Sequence, residues 1–320
     1  MSAADHRLEP WNGEPESLLV TVDTGDRIHY LDWGTAGIGS DRLPALLFIH
    51  GLAQTAWSWA PIARRLRNVT RVVAMDLRGH GLSDASRSGY GLESLAYDGL
   101  TVLVANGWGR DAGGPPAAVA GHGLGAMVAA TMAGTQPDSI AALALVDGGW
   151  EDVAEASGLT PAEFETTIGD PPEVLSSMEA FLADRRDFDP PTWDADQQRA
   201  ARATVERKHA GHVALVTNQR ALRGCVAAMF DYQPIDALAG LDQPLLVAVA
   251  ESGAADDEAA RERRLALDDV LRERARDGAP PAHVATYTRA GHNLMRYRPV
   301  ELSAALDRLL QAASVRATSD

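Results

Sequence analysis

The sequence has little that would let it bind nucleic acid or hold its fold with disulfides. Its 29 Lys and Arg residues are outnumbered by 44 Asp and Glu residues, which gives a formal net charge of −15 at pH 7. This charge repels nucleic-acid phosphates and anionic membrane surfaces, so we expect no nucleic-acid partner. The single cysteine, Cys225, cannot form an internal disulfide. Packing must therefore hold the fold, as is usual in a reducing compartment.

Long apolar runs are also scarce. The longest uncharged stretch of small and apolar residues, 117–134, has the length of a short membrane span, but four glycines and a histidine interrupt it. We interpret it as a strand, a turn and a helix, and we expect no membrane span. Residues 1–15 lack a basic segment followed by an apolar stretch, the pattern of a signal peptide, so the expected location is cytoplasmic.

The sequence does contain enough apolar residues for a large core. It has 320 residues, of which 46% are hydrophobic and 23% charged, a composition typical of a globular enzyme. Short apolar runs alternate with helical patterns, which predicts an α/β fold with a mostly parallel, eight-stranded sheet and helices on both faces. The predicted strands cover 18–23, 27–33, 45–49, 71–75, 117–120, 140–146, 245–250 and 284–287.

One region breaks this alternation. Residues 151–241 contain no convincing strand pattern, only helix-compatible segments separated by Asp-Pro-Pro at 170–172 and 189–191. We interpret this region as a helical lid, inserted after the sixth strand over one end of the sheet. The predicted domains are then an N-terminal extension at 1–17, a core at 18–150 and 242–313, the lid at 151–241 and a C-terminal tail at 314–320.

Three motifs follow predicted strands, at the edge where parallel sheets place their ligand sites. HGL at residues 50–52 follows the third strand, where a backbone N–H can face a developing oxyanion. GHGLG at residues 121–125 joins the fifth strand to a helix and suits a sharp turn that presents its central residue. GHN at residues 291–293 follows the eighth strand and supplies a histidine.

Together these motifs resemble the α/β-hydrolase fold family over roughly residues 18–313, with the lid as the least matched part. YLDWG at 30–34, WSW at 57–59 and DLRGHGLSD at 76–84 add to the resemblance. Several independent motifs in the same order make it specific. The resemblance implies a nucleophile elbow of the form G-x-S-x-G and hydrolysis of an ester, lactone or thioester through an acyl-enzyme.

The sequence departs from the family at the nucleophile position, which is Gly123. A shift of register does not supply a nucleophile, because residues 116–130 contain no Ser, Thr, Cys, Asp or Glu. Two interpretations stay open: a serine hydrolase whose elbow serine has been replaced by glycine, or a protein that uses the fold without an acyl-enzyme. In both cases we expect no covalent acyl-enzyme.

The rest of the catalytic machinery is implied by the resemblance. His292 would be the base, and the N–H groups of Leu52 and Leu124 would form the oxyanion hole. The acid that orients the histidine has two main candidates, both at strand ends. Asp147, after the sixth strand, is the first choice, and Glu251, after the seventh, is the second. Asp256 is a third choice, in what should be the start of a helix.

The substrate pocket is expected in or beside the lid. Apolar side chains there would line a pocket for a small-molecule substrate with an apolar acyl or ring group. The candidate pocket residues are His50, Trp150, Phe181 and Met229, of which His50 is favoured as a residue that shapes the oxyanion loop through its own hydrogen bonds. We expect no cofactor and no metal, because the sequence lacks the Lys and Ser or Thr of a phosphate loop and any convincing set of metal ligands.

Three classes of function remain open. The protein is a disabled hydrolase, an enzyme that uses His292 as a general base without a covalent intermediate, or a small-molecule-binding protein without catalysis. The second class includes non-covalent hydrolysis and also lyase, isomerase or cyclase chemistry.

Overall fold

A single large sheet organises the molecule. The computed structural model describes residues 13–35, 43–253 and 258–317. The strands found there are β1 (Glu16–Thr21), β2 (Arg27–Gly34), β3 (Leu46–Ile49), β4 (Val72–Met75), β5 (Ala117–His122), β6 (Ile140–Val146), β7 (Val205–Arg207), β8 (Val213–Leu215), β9 (Leu245–Glu251) and β10 (His283–Thr288). Eight of them form one sheet in the order β1-β2-β4-β3-β5-β6-β9-β10.

Helices cover both faces of this sheet. The α-helices of the described residues are α1 (Ala60–Leu66), α2 (Leu92–Ala105), α3 (Leu124–Thr135), α4 (Val153–Ser157), α5 (Pro161–Ile168), α6 (Met178–Phe188), α7 (Ala195–Ala203), α8 (Gln219–Phe230), α9 (Pro234–Leu238), α10 (Glu258–Arg276), α11 (Leu294–Tyr297) and α12 (Pro299–Ala317). None of the helices described is both long enough and apolar enough to cross a bilayer.

The pairing of the strands confirms the predicted mostly parallel, eight-stranded sheet. Only β1 with β2 and β2 with β4 pair antiparallel; the other neighbours in the sheet are parallel. All residues of β3, β4 and β5 are buried, which explains why these strands are continuous apolar runs in the sequence.

Alternate residues of the strands enter two separate cores. Leu47 and Ile49 of β3 pack with residues of α2, α3 and α8 on one face. Leu46 and Phe48 pack with residues of α1 and α12 on the other. This alternation follows from the two-residue period of a strand, and it fixes the sheet between two layers of helices. The carboxyl ends of its parallel strands are therefore held rigidly, which suits the positioning of a site.

The segment between β6 and β9 differs in part from its prediction. It contains helices α4 to α9, but the expectation that residues 151–241 hold no strand is wrong, because β7 and β8 pair antiparallel there. Each strand has three residues, of which only the first, Val205 or Val213, is buried. In the sequence, the alternation of apolar and polar residues over three positions cannot be told apart from that of a loop. The two valines pack with Phe181 and Leu182 of α6 in a small separate core.

The ends of the core also differ slightly from the predicted bounds. Strand β1 begins at Glu16, inside the predicted N-terminal extension, and α12 continues to Ala317, beyond the predicted end of the core at 313. These differences are of the size expected when element boundaries are predicted from a pattern of apolar residues.

Candidate active site

The turn between β5 and α3 has the backbone of a nucleophile elbow. Gly123, at its apex, has φ +52° and ψ −118°, a conformation that L residues rarely adopt. Positions 121 and 125 of the motif require glycine because other parts of the backbone lie where a Cβ would be. A Cβ on Gly121 would lie 2.0 Å from the carbonyl oxygen of Gly125, and one on Gly125 would lie 2.3 Å from that of Ile49. The turn is therefore as tight as the GHGLG motif predicts.

The apex has room for a side chain although glycine provides none. A Cβ built on Gly123 would lie 3.5 Å from Nε2 of His292 and 3.9 Å from Cα of Gly51, both ordinary van der Waals contacts. A side chain at this position would therefore point towards the histidine without a clash. The geometry needed for a nucleophile and its base is present, but the nucleophile itself is missing.

His292 contacts Asp147, the first choice for the acid, rather than Glu251, the second. The Nδ1 atom of His292 lies 2.6 Å from Oδ2 of Asp147. Because a carboxylate only accepts, Nδ1 carries the proton, and Nε2 is left as the basic nitrogen facing Gly123. The His292 side chain is 64% exposed, whereas that of Asp147 is 1% exposed. An exposed base oriented by a buried acid is the pairing of a catalytic triad.

Asp147 is fixed by two further hydrogen bonds. Its Oδ1 accepts from the backbone N–H of Ala250 and from Nη2 of Arg263, both at 2.9 Å. Burial acts to raise the pKa of Asp147, but the hydrogen bond with His292 and the positive charge of Arg263 more than offset it, and the pKa lies below its usual value. The acid is therefore ionised at neutral pH.

Arg263 and Glu151 are two charged residues of the site that sequence reasoning missed. Nε of Arg263 donates to Oε1 of Glu151 at 3.2 Å, and its guanidinium carbon lies 5.1 Å from the centre of a Trp150 ring. Arg263 thus connects the acid of the site to a second carboxyl, which is partly buried. In the sequence, Arg263 is one of several arginines in the charged helix α10, so no signal singled it out.

The pKa of the second carboxyl, Glu151, is shifted in the opposite direction from that of Asp147. Burial raises the pKa of Glu151, and the charge of Arg263 only partly offsets this effect. Ionised Glu151 is therefore less favourable in the folded chain than in the unfolded one. Its contribution to stability is fully present below its ordinary pKa, and it is lost as pH rises through the raised value.

We therefore expect Glu151→Gln to change how stability depends on pH. The side chain of the variant does not ionise, so the variant escapes the loss of stability that the wild type suffers as pH rises. The free energy of unfolding of the variant minus that of the wild type should therefore be larger at pH 8 than at pH 4.5. Urea unfolding of both proteins at the two pH values measures this gain, and Glu155→Gln, on an exposed residue of α4, serves as the control. The prediction is contradicted if this difference does not increase with pH in Glu151→Gln, or if it increases equally in Glu155→Gln.

The structure does not bring Glu251 to the histidine. Oε1 of Glu251 accepts from Nη1 of Arg264 at 2.5 Å, and among the described residues the carboxylate that contacts His292 is that of Asp147. Asp256, the third candidate, lies outside the described residues. The geometry thus supports Asp147 over Glu251 as the acid.

Two residues of the predicted oxyanion hole line the same cavity. Leu52, after β3, and Leu124, at the first position of α3, both line it. Among the described residues, neither N–H group has a hydrogen-bond acceptor. The first N–H groups of a helix have no partner within that helix, so Leu124 is a donor available to an anion. Both residues of the oxyanion-hole prediction thus line the cavity with an N–H group left for an acceptor, and the oxyanion hole itself stays a prediction.

The cavity itself has a volume of about 300 Å³ and a largely apolar wall. Its wall includes Met229, one of the predicted pocket residues, together with apolar residues that the sequence did not indicate: Met127, Val153, Ala156, Phe164 and Ile168. Most of these belong to α4, α5 and α8, in the segment between β6 and β9. A cavity of this kind suits a small apolar group.

Three of the four predicted pocket residues lie elsewhere, which corrects the expectation that they line the cavity. His50 is buried, with Nδ1 donating to the carbonyl oxygen of Gly51 at 2.7 Å and Nε2 accepting from the N–H of Leu77 at 3.0 Å. Trp150 is fully buried under Arg263. Phe181 belongs to the separate small core around β7 and β8.

His122 supports the loop that carries His292. Its Nε2 donates to the carbonyl oxygen of His292 at 3.0 Å, and the centres of the two rings are 4.4 Å apart. Burial, with the charge of His292 adding to it, lowers the pKa of His122 to about 3. The ring is therefore neutral at physiological pH, and it acts as a fixed hydrogen-bond donor rather than as a second base.

Known proteins are similar to this chain in sequence and in fold. The model of the alpha/beta hydrolase family matches residues 46–305. The 2-(acetamidomethylene)succinate hydrolase of Mesorhizobium japonicum is 32% identical over 145 residues, 44% of this chain and 49% of that protein. Mouse epoxide hydrolase 4 is 32% identical over 127 residues, 39% of this chain and 32% of that protein. The match therefore spans half or less of the length of these two relatives.

A longer match and two solved structures complete the comparison. The non-heme chloroperoxidase of Streptomyces lividans is 31% identical over 240 residues, 72% of this chain and 79% of that protein. The crystal structure of E-2-(acetamidomethylene)succinate hydrolase has a TM-score of 0.72 at 21% identity and covers 93% of this chain and 99% of its own. The thioesterase domain of the curacin biosynthetic pathway has a TM-score of 0.65 at 19% identity, and the match covers 92% of this chain and 100% of that domain. At these identities the structures show a shared fold.

Proposed function

Since the chain belongs to the alpha/beta hydrolase family, we propose that it hydrolyses an ester, lactone or thioester without forming a covalent acyl-enzyme. One observation carries the proposal: Nε2 of His292, held by Asp147, faces a glycine where the nucleophile of a serine hydrolase would stand. The base, its orienting acid and two free N–H donors are in place around one cavity, so the site supports the chemistry of acyl transfer to water.

The mechanism uses water as the nucleophile. Nε2 of His292 takes a proton from a water molecule as the water oxygen bonds to the carbonyl carbon of the substrate. The N–H groups of Leu52 and Leu124 stabilise the oxyanion that forms, and Asp147 stabilises the imidazolium. His292 then returns the proton to the leaving oxygen or sulfur as the bond from the carbonyl carbon to that atom breaks. The products are a carboxylic acid and an alcohol or thiol.

Among the described residues, no hydroxyl or thiol of the cavity wall replaces the missing serine. Ser157 supplies the only hydroxyl among the residues that line the cavity, which has neither Thr, Tyr nor Cys in its wall. The Ser157 hydroxyl donates to the carbonyl oxygen of Val153 at 2.6 Å, within helix α4. Its proton is therefore committed to the backbone, and no base activates it.

The substrate class follows from the cavity and its cover. We assign residues 151–241 as a lid, because α4, α5 and α8 supply much of the wall of the cavity. That wall is mainly aliphatic and aromatic, so the group it encloses is an apolar acyl chain or ring.

A second candidate function is that of a serine hydrolase disabled by the change to Gly123. It is favoured by the space beside His292, where a Cβ fits without a clash, and by the close contacts of Gly121 and Gly125, which keep the elbow tight. The two functions differ in whether the chain as it stands turns over an ester.

The first test of the proposed function is His292→Ala. Loss of the base should lower kcat/KM for p-nitrophenyl esters by about 10²-fold to 10⁴-fold. His209→Ala, on an exposed histidine between β7 and β8, should leave it unchanged. Intact mass after incubation with a fluorophosphonate should show no adduct on the wild type. A stoichiometric adduct on the elbow, or full activity in His292→Ala, overturns the proposal, and an inactive wild type favours the disabled hydrolase.

A further inference from the structure

A second cavity adjoins the first. It has a volume of about 220 Å³ and shares Gln54 and Ile168 with the cavity at Gly123. One side of it is formed by Thr55 and Ser58, near the start of the first helical turn after β3, and the other by residues of the inserted segment such as Trp193. The two cavities are therefore neighbours, and a ligand that reached from one to the other would contact both.

The wall of the second cavity contains buried hydroxyls without partners. Oγ1 of Thr55 and Oγ of Ser58 are buried and have no hydrogen-bond partner within the described residues. The two residues are only 2% and 7% exposed. A buried polar group left unpaired is destabilising, so such groups are normally satisfied by water or by a ligand. Two such hydroxyls in one cavity offer hydrogen-bond donors to a polar group of a ligand.

The cavity also holds a cation that is not neutralised. Nε of Arg296 donates to Oγ1 of Thr192 at 2.6 Å and Nη2 to the carbonyl oxygen of Asp189 at 2.8 Å, both neutral acceptors. Among the described residues, Arg296 has no ion pair and Nη1 makes no hydrogen bond, whereas Arg185, the other cation of the wall, is bound at 2.5 Å by Asp170. Arg185 is also paired with Asp184, so Arg296 is the cation of this wall that is left for an anion.

We propose that the second cavity binds a carboxylate of the substrate while the scissile acyl group lies in the first. The inference rests on the proposed function for the identity of the first group. Nη1 of Arg296 supplies charged N–H donors, and the hydroxyls of Thr55 and Ser58 supply O–H donors, the set that recognises a carboxylate. The substrate class is therefore a monoester, thioester or lactone that carries a free carboxylate at the other end.

The test compares dicarboxylates with monocarboxylates of the same chain length. Calorimetry with straight-chain dicarboxylates of four to eight carbons and the matching monocarboxylates needs no turnover. We expect at least one dicarboxylate to bind about tenfold or more tightly than its partner. Arg296→Gln should abolish this preference, and Arg186→Gln, on an exposed arginine paired with Asp187, should retain it.

Two further variants keep the test valid if Arg296→Gln disturbs the turn at 189–192. Ser58→Ala and Thr55→Val remove hydroxyls that have no partner within residues 13–35, 43–253 and 258–317, so their free energies of unfolding should be unchanged or higher. Each should reduce the preference for the dicarboxylate by about 3-fold to 10-fold. Equal binding of both acids by the wild type overturns the proposal, as does a preference that survives all three substitutions.

Hydrolysis provides an independent readout. The p-nitrophenyl monoesters of the same dicarboxylic acids should be cleaved with a lower KM than the esters of the monocarboxylic acids. If the dicarboxylate preference is found and no ester is cleaved, the carboxylate subsite holds and the proposed hydrolysis fails. If neutral esters alone are cleaved and the acids bind equally, the hydrolysis holds and the subsite fails.

Discussion

Replacing Gly123 by serine is expected to create an enzyme that forms an acyl-enzyme. A Cβ at this position lies 3.5 Å from Nε2 of His292, so a hydroxyl on that carbon comes within hydrogen-bonding reach of the base. Asp147, the proposed acid, and Leu52 and Leu124, whose N–H groups are the proposed oxyanion donors, already line the same cavity. Removing the serine of a triad costs up to about 10⁶-fold in kcat, so even a partial gain should raise ester hydrolysis by about 10²-fold or more.

The same substitution should lower stability. Serine at φ +52° and ψ −118° adopts a backbone conformation that costs about 1–3 kcal/mol, whereas glycine adopts it freely. Gly123→Ala carries the same backbone cost without a hydroxyl, which makes it the matched control. Both variants should show lower free energies of unfolding than the wild type, but only Gly123→Ser should gain a fluorophosphonate adduct by intact mass.

The outcomes separate the two candidate functions. If the wild type hydrolyses esters without an adduct and Gly123→Ser adds a covalent route, water is the natural nucleophile. If the wild type is inert and Gly123→Ser is active, the chain is a disabled hydrolase with an intact scaffold. A Gly123→Ser variant that folds but neither reacts nor hydrolyses would falsify the assignment of His292 and the two N–H groups as working parts of the site.

The sheet and the elbow were predictable because their sequence signals are local. Strands β3, β4 and β5 are buried on both faces, so each is a short run of apolar residues. The elbow is readable because its tight backbone admits only glycine at positions 121 and 125. In contrast, β7 and β8 pair over three residues each, too few to leave a periodic pattern.

The acid and the pocket were harder to predict because they depend on distant contacts. Asp147 and Glu251 both lie at or just beyond the ends of neighbouring strands, β6 and β9. What separates them is which one contacts His292, and His292 is 145 residues from Asp147 in the sequence. Phe181 has the composition of a pocket residue, but it packs in a core of its own within the inserted segment. Apolar character alone does not distinguish these two environments.

Asp147→Asn is expected to abolish activity by reversing the tautomer of His292. Oδ1 of Asp147 accepts two hydrogen bonds, from Ala250 N–H and from Arg263, while Oδ2 accepts from Nδ1 of His292. An asparagine has one oxygen, and the two fixed donors require it on their side. Its NH2 group then faces Nδ1, which must become an acceptor, so the proton moves to Nε2 and the base is lost.

The expected fall in kcat/KM is about 10⁴-fold, the size seen when the aspartate of a serine protease triad is changed to asparagine. Glu251→Gln, which removes an acid bound to Arg264 instead, should leave kcat/KM within about twofold of the wild type.

The pKa of Asp147 is lowered in the folded chain, so Asp147→Asn should also be less stable than the wild type at neutral pH. This deficit in the free energy of unfolding should shrink as pH falls through that lowered pKa. Nitrogen NMR of His292 reports the tautomer directly. An active Asp147→Asn together with an inactive Glu251→Gln would reassign the acid to Glu251, and it would require the loop of His292 to move in the working enzyme.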